Sequence, residues 1–226
     1  LRVYHAKGKP LRVASYELRK ITIGIPDDRV IAEEIQSYKD IVNARFLAPY
    51  RLSFDQTIAE SSFHLETIAS AYANPREMAL GNLIADAYRY AVKKAEGSKY
   101  EHLHFAFEPL GLIRDSFLQG KITTADVFRV LSLGIGYDGV AGYPLMAFYV
   151  TGKELKDILE VEASVAPFKK TGAHLQVAGV RFVFNPHRVL FDRVTRVSVI
   201  NEKGDYEPLD EQRLYRVCSN RYAAGM

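Results

Sequence analysis

The spacing of apolar positions changes from that of strands to that of a helix within the first fifty residues. The runs LRVYH and LRVASYEL are β-rich, and a turn-forming cluster at residues 7–10 joins them, so we expect a β-hairpin over residues 1 to about 24. Beyond Pro26 the apolar residues recur at three- and four-residue spacing. This pattern predicts an amphipathic helix over residues 28–47 that ends before Pro49.

Residues 49–73 show no clear period and are expected to form a connection, with a short helical piece around residues 63–71. A helix start follows. Asn74 is a suitable N-cap, Pro75 suits the first helical position, and Glu77 stands three residues after the cap, as in a capping box. Helical spacing then continues for several turns, which predicts a long amphipathic helix.

The remainder of the chain mixes helices with strands. Two pairs three residues apart predict helix starts, at Thr123 with Asp126 and at Thr151 with Glu154. Five β-rich runs predict strands: LHFAF, MAFYV, VRFVF, RVSVI and LYRVC. A turn around residues 203–204 is expected to join the last two.

Long helices mixed with strands and hairpins indicate an α+β fold rather than regular βαβ alternation. The helix at 28–47 is a natural boundary. We therefore expect residues 1–48 to be the tail of an upstream domain with a connector helix, and residues 49–226 to form one domain.

Composition excludes several classes of protein. Of the 226 residues, 48% are hydrophobic and 25% charged, which is typical of a globular protein. Charge interrupts every apolar run before the roughly 18–20 residues needed to cross a bilayer, so no membrane span is expected. The net charge of +3 comes without a basic stripe and argues against nucleic acid as a partner.

The chain has one cysteine, Cys218, so an intrachain disulfide is excluded, and its apolar surroundings predict an inert buried thiol. The sequence begins at Leu1, and no signal-peptide pattern follows. We therefore expect a piece of a longer protein, with any export signal upstream.

Six sequence blocks carry a resemblance to a known family. They are Arg76-Glu77 with LGNLIADA, GKITTADVFRVL, VTGKELKDIL, LQVAGVRFVFNP, Pro208-Leu209-Asp210 and YRVCSNRY. In order and spacing they resemble the C-terminal domain of the 5′-nucleotidase and UDP-sugar hydrolase family. The resemblance implies that family's mixed sheet with packed helices, here preceded by the hairpin and a linker-type helix.

In that family a metallophosphatase domain with two divalent metals hydrolyses the phosphoester, and the C-terminal domain holds the nucleoside. The resemblance therefore implies a nucleoside or nucleotide ligand and an upstream metallophosphatase domain as partner. It implies no metal or other cofactor within these residues, since both metals would lie in the upstream domain. It also implies a periplasmic or cell-surface location.

The family's N-G-G-G-I-R loop aligns with residues 109–114. Gly111 and Arg114 are thus implied ligand contacts, and the arginine is able to hold a phosphate or carboxylate by a bidentate contact. Pro109 stands where the family has an asparagine that reads the base, and proline offers no side-chain hydrogen bond and no N–H. Two of the three glycines are leucines here, which adds bulk where a ligand should approach.

Two aromatic residues of the family stack on the base. Leu133 stands in the place of the first, and losing that ring removes roughly 1–3 kcal/mol of stacking. Tyr137 and Tyr143, in a neighbouring glycine-rich insertion, could substitute for it. Tyr222 retains the second ring, and Arg76 and Asn220, within the resembling blocks, complete the implied substrate-binding set.

Several of these residues also have structural explanations. Arg76 could be only the polar first turn of a helix, Arg114 a surface ion pair, and Tyr222 a packing residue. His102 and His104 share a strand face, as metal ligands do, but no third ligand accompanies them at a recognisable spacing. We expect ordinary strand-face histidines there and no metal site.

Two hypotheses for the function follow. The chain is a nucleoside- or nucleotide-binding domain of a 5′-nucleotidase-like phosphoester hydrolase and is not catalytic on its own. The alternative is a degenerate, non-enzymatic binding or interaction module that keeps the fold and has lost nucleotide recognition, because Pro109 and three leucines fill a polar pocket with apolar bulk. A nucleic-acid binder, based on the mild basic charge, is a third idea.

Overall fold

The computed structural model describes residues 2–18, 20–22, 24–73, 76–137, 139–165 and 174–225. Its strands are β1 (Arg2–Tyr4), β2 (Arg12–Ser15), β3 (Thr57–Ser61), β4 (Phe105–Pro109), β5 (Gly120–Thr123), β6 (Leu145–Thr151), β7 (Leu175–Ala178), β8 (Val180–Phe184), β9 (Val194–Ile200), β10 (Tyr206–Pro208) and β11 (Leu214–Asn220). Its α-helices are α1 (Arg29–Val42), α2 (Ile68–Ala73), α3 (Ala79–Glu96), α4 (Thr124–Val130), α5 (Gly152–Val165) and α6 (Arg221–Ala224).

A four-stranded mixed sheet with the order β6-β11-β4-β7 forms the centre of the fold. Strand β11 runs parallel to β4 and antiparallel to β6, and β4 is antiparallel to β7. Separate antiparallel sheets are formed by β10-β9-β8, by β3 with β5 and by β1 with β2. The expected α+β class with a mixed sheet is confirmed.

Two apolar clusters cover the two faces of the central sheet. Ala106 and Cys218 belong to the cluster that includes the buried side of α3, whereas Phe105, Phe107 and Val217 belong to the cluster beneath α5. Adjacent strand residues point to opposite faces, so the alternation places helices on both sides of β4 and β11. This burial explains why residues 105–107 of β4 and residues 217–218 of β11 are all apolar.

Both predicted helix starts beyond residue 100 are formed. The Thr123 hydroxyl accepts the backbone N–H of Asp126, whose carboxylate accepts the backbone N–H of Thr123 in return. Thr151 and Glu154 make the same reciprocal contacts at the start of α5. Each pair satisfies N–H groups that the first turn of a helix leaves without a partner.

The N-terminal hairpin and α1 are formed as expected, with Asp28 as the N-cap of the helix. The last predicted turn is a π-helix over Asn43–Leu47. No residue of α1 is buried. The apolar stripe that predicted the helix is exposed: Val30, Ile31, Ile35, Tyr38 and Ile41.

The structure corrects several predicted elements. Helix α3 begins at Ala79 after Met78, and Glu77 accepts a hydrogen bond from the side chain of Asn82 instead of closing a capping box. The predicted cap and first residue, Asn74 and Pro75, lie outside the described residues.

Strands β3, β5, β7 and β10 were not predicted. The turn at residues 203–204 joins β9 to β10 rather than to the last strand, which pairs with β6 and β4 instead. Strands β3, β5 and β7 pair with strands that are distant in sequence, and β10 has only three residues. Neither case gives a recognisable pattern in the local sequence.

Gly152 lies where α5 meets the segment before β11. A β-carbon at this position would overlap the carbonyl oxygen of Asp210, whereas one at Gly24 would meet only Thr22 Oγ1 at 3.9 Å. We expect Gly152→Ala to lower the free energy of unfolding by about 1–3 kcal/mol through overpacking, with Gly24→Ala as the near-neutral control. Urea denaturation measures both, and equal stabilities would contradict the tight contact.

Candidate functional site

Three loops converge where the parallel strands β4 and β11 end. The segment after β4 is tied to the end of α4 by a hydrogen bond from the N–H of Arg114 to the carbonyl of Val130, at 2.8 Å. On its other side the N–H of Leu110 donates to the carbonyl of His174, also at 2.8 Å. Ligands of mixed and parallel sheets commonly bind at the carboxyl ends of strands, so this convergence marks the candidate site.

A cavity of about 170 Å³ lies within this convergence. It is lined by residues from α3, β4, β6, β11 and neighbouring loops: Tyr88, Glu108, Leu112, Leu131, Leu133, Gly142, Tyr143, Leu145 and Asn220. Most of its lining is apolar, and its polar atoms come from a few convergent side chains. This kind of lining is typical of small-molecule sites, whereas the volume suits only a small ring.

Glu108 supplies a carboxyl group that is fully buried at the end of β4. Its Oε2 accepts a hydrogen bond of 2.5 Å from Nδ2 of Asn220, and Oε1 has no hydrogen-bond partner among the described residues. Burial raises the pKa of Glu108 to about 7, and the side chains of Tyr88 and Asn220 lower it only in part. Burial, together with the charge of Glu108, also raises the pKa of Tyr88.

Asn220 connects this carboxyl group to the last helix. Its Oδ1 accepts the backbone N–H of Ala223 at 3.0 Å, which makes Asn220 the N-cap of α6. The residue is 2% exposed, so its orientation is fixed by these two contacts. The cap thereby positions Tyr222, which follows it in the first turn of α6.

The ring of Tyr222 stacks on that of Tyr143, with ring centroids 5.5 Å apart and an angle of 29° between the planes. A β-carbon at Gly134 would lie 2.5 Å from Cδ1 of Tyr143, so the Tyr143 ring also packs directly on the backbone of that glycine. Two rings that hold a third between them are about 7 Å apart, which is two carbon contact distances. At 5.5 Å, the rings of Tyr143 and Tyr222 leave no room for a third ring between them.

The predicted site residues are distributed around the cavity. Leu133 and Asn220 line it, and Tyr222 touches the lining residue Tyr143. The exposed Arg114 donates from Nη1 to the carbonyl of Gly111 at 3.2 Å. Their roles as ligand contacts remain predictions.

Arg76 lies further away. Its carbonyl accepts a hydrogen bond from the side chain of Gln176, which is the register partner of Glu108 on β7. The residue precedes α3, so the interpretation of its charge as part of that helix's first polar turn is wrong.

Two polar residues of the cavity lining, Glu108 and Tyr88, were not predicted as site residues from the sequence. The available signal was the glutamate itself. It directly follows the apolar run LHFAF, and charged side chains are rarely buried without a specific role. Tyr88 gives a weaker signal, since it lies on the apolar stripe of α3 among ordinary core residues.

Ring nitrogens of His102 and His104 lie at hydrogen-bond distance from backbone groups of the protein. Nδ1 of His104 accepts the backbone N–H of Arg216 at 3.2 Å, and Nε2 of His102 lies 3.1 Å from the carbonyl of Ile200. Burial lowers the pKa of His104 to about 4, with the neighbouring His102 adding to the effect. Within the described ranges, no three His, Cys, Asp or Glu residues are grouped as metal ligands would be.

The thiol of Cys218 is buried, as the apolar run predicted, and burial raises its pKa to about 11. Such a thiol stays protonated near neutral pH and is a poor nucleophile. Among the described helices, none is both long and apolar enough to cross a membrane.

The buried acid predicts a pH dependence of stability. Because the folded-state pKa of Glu108 is raised above the usual value of 4.5, the folded chain keeps a proton that the unfolded chain releases between pH 4.5 and 7. The free energy of unfolding should therefore fall through this interval, by up to about 3 kcal/mol, and level off above pH 7.

Glu108→Gln should lose this component, because its side chain is neutral at every pH. Urea denaturation at pH 5 and pH 8 compares this variant with the unsubstituted chain and with Glu60→Gln, an exposed control. An unchanged pH difference in Glu108→Gln would show that the buried carboxyl group does not titrate in this range.

Comparison with known proteins agrees with this architecture. A sequence model of the family described as "5′-nucleotidase, C-terminal domain" matches residues 57–226. The 5′-nucleotidase-related protein of Glossina morsitans morsitans is 31% identical over 156 residues, which are 66% of this chain and 27% of that protein. The 5′-nucleotidase of Rattus norvegicus is 30% identical over 155 residues, covering 65% of this chain and 25% of the relative.

A solved structure supports the same relationship. The 5′-nucleotidase precursor of Thermus thermophilus aligns with a TM-score of 0.65 and 32% identity, over 88% of this chain and 34% of the other. The chain thus spans about a quarter to a third of the length of these relatives. Because the family model covers most of the sequence, the chain belongs to the 5′-nucleotidase C-terminal domain family.

Proposed function

We propose that this chain is the nucleoside- or nucleotide-binding part of a larger 5′-nucleotidase-like phosphoester hydrolase and is not catalytic on its own. The observation that carries the proposal is the convergence of three loops around a cavity at the carboxyl ends of β4 and β11. The cavity is mostly apolar, has a few fixed polar groups, and is bordered by an exposed tyrosine ring and an exposed arginine. A base, a ribose and a phosphate need these three kinds of contact.

The proposal assigns distinct tasks to the residues at the rim. Tyr222 offers an aromatic ring. The residue is 51% exposed, although its ring stacks on that of Tyr143. Arg114 is exposed beside the same loops and presents a planar guanidinium that suits a phosphate or carboxylate. Gly111 fixes that arginine through its carbonyl group.

Hydrolysis belongs, in this proposal, to an upstream metallophosphatase domain that carries two divalent metals. Residues 1–48 are then the tail of that domain and the connector. The exposed apolar residues of α1 and of the hairpin support this assignment, because large exposed apolar patches usually mark a surface that a partner covers. A periplasmic or cell-surface location is part of the same proposal.

A second candidate function is a degenerate binding module without nucleotide recognition. The closed contact between Tyr143 and Tyr222 favours it, because no ring fits between them at 5.5 Å. The bulk of Leu112 and Leu133 in the lining favours it as well. The two candidates differ in whether the site accepts a nucleoside at all.

Isothermal titration calorimetry with adenosine, AMP, CMP and UDP-glucose tests the binding role. We expect micromolar to millimolar binding of at least one of these compounds, weakened in Tyr222→Ala by about 1 kcal/mol or more, the value of one stacking contact. Tyr90→Ala, which removes an exposed ring on α3, is the matched control and should bind as the unsubstituted chain does. Absence of binding across the panel would favour the degenerate module.

A phosphate-release assay tests the division of tasks. The chain alone should show no metal-dependent release of phosphate from AMP or UDP-glucose, with Mn²⁺, Mg²⁺ or Zn²⁺ added, because a two-metal reaction needs ligands from several loops. Sustained turnover that survives repurification and is lost with EDTA would contradict the proposal.

A further inference from the structure

The cavity lined by Tyr143 contains one carboxyl oxygen of Glu108 that no donor of the described residues reaches at hydrogen-bond distance, although the nearby Tyr88 side chain also acts on this carboxyl group. Glu108 is fully buried, its Oε2 is held by Asn220, and its Oε1 has no hydrogen-bond partner among the described residues. A buried carboxyl oxygen without a partner costs free energy, so such atoms are uncommon unless a ligand or water completes them. Glu108 lines the same cavity as the leucines, so this acceptor lies at its wall.

The volume of the cavity restricts what can meet that acceptor. It holds about 170 Å³. An apolar cavity of about 150 Å³ in another protein accepts benzene, so the space here suits one six-membered ring. The leucine walls favour a flat apolar face, and the single open acceptor favours a ring whose edge donates an N–H.

Tyr143 sets the limit on size. Its ring lines the cavity and is held between contacts to Gly134 and to the ring of Tyr222. The loop before it is closed by a hydrogen bond of 2.9 Å from the N–H of Gly142 to the carbonyl of Gly134. A two-ring base would have to displace Tyr143, whereas a one-ring base would not.

We propose that this cavity binds a pyrimidine-sized heteroaromatic ring whose N–H edge donates to Oε1 of Glu108, and that Tyr143 excludes two-ring bases. The proposal rests on the nucleoside-binding function and names the class of base. Asn220 keeps Oε2 occupied and so leaves Oε1 as the atom that reads the ring. Cytosine, with an exocyclic amino group, has the required size and donor.

Calorimetry with three free bases tests the proposal on the unsubstituted chain. Cytosine is the probe, the parent ring pyrimidine has the same size without an N–H, and adenine has an amino group but two rings. We expect cytosine to bind at least about tenfold more tightly than pyrimidine, because the contact to the carboxyl group is charge-assisted. Adenine should bind at least about tenfold more weakly than cytosine.

Two variants separate the acceptor from the size limit. In Glu108→Gln, the single side-chain oxygen should keep the hydrogen bond from Asn220, so that the NH2 group faces the bound cytosine. Two donors then face each other, and cytosine binding should fall about tenfold or more. Tyr143→Ala should admit adenine with an affinity at least tenfold above that of the unsubstituted chain. Tyr90→Ala is the control, because this tyrosine of α3 is exposed and does not line the cavity.

The pH provides a readout that a structural role would not change. The titratable groups that line the cavity with Glu108 are Tyr88 from α3 and Tyr143 from the loop, and burial raises the pKa of Tyr88. Since the pKa of Glu108 is about 7, cytosine affinity should rise up to about tenfold from pH 6 to pH 8 and should not rise in Glu108→Gln.

The outcomes distinguish this proposal from the general function. Equal affinity for cytosine and pyrimidine, equal affinity for cytosine and adenine, or no binding of any base by a folded chain overturns the proposal for the cavity. Binding of AMP in a Tyr222-dependent manner would still support the nucleoside-binding function in that case. Cytosine binding without nucleotide binding would keep the cavity proposal and reject the larger function.

Discussion

The parallel pairing of β4 with β11 brings together segments that lie 112 residues apart, and the candidate site depends on it. Within the pairing the hydroxyl of Ser219 donates to the carbonyl of Phe107, and Asn220 donates to Glu108 one residue further along each strand. These contacts are buried, so removing one partner would leave the other without a hydrogen bond in the interior. The sheet register therefore fixes which side chains meet at the end of the two strands.

Asn220 connects the paired strands to the surface residue Tyr222. One end of its side chain binds the buried carboxyl group, and the other end caps the helix that carries Tyr222. The buried acid opposes folding near neutral pH, because burial raises its pKa and its ionisation costs free energy there. An apolar residue would avoid that cost but would leave the amide of Asn220 without its acceptor. The pair of Glu108 and Asn220 is thus best explained by its role in positioning the site residues and not by a contribution to stability.

Local sequence patterns predicted the elements whose ends are set locally. Thr123 with Asp126 and Thr151 with Glu154 satisfy the first turns of their own helices, so adjacent residues contain the whole signal. The start of α3 is different, because the N–H of Met78 donates to Gln176, which is 98 residues away. The buried acceptor at Glu108 likewise became visible only once its partner on β11 was known. Resemblance indicated where to look for the candidate site, but the side chains that meet there became known only from the three-dimensional contacts.

The two candidate functions differ physically in what holds the ring of Tyr143. A stacked aromatic pair contributes about 0.5–1.5 kcal/mol beyond the area that it buries. Stacking of a base on one aromatic side chain contributes about 1–3 kcal/mol. A base that takes the place of Tyr143 against Tyr222 recovers a comparable stacking contact, but it must also break the packing of Tyr143 on Gly134. A ring that stays under Tyr143 needs no exchange, because it gains the leucine walls and the open oxygen of Glu108. Under the proposed function, the apolar substitutions in this site change the kind of ring that it suits rather than remove a binding site.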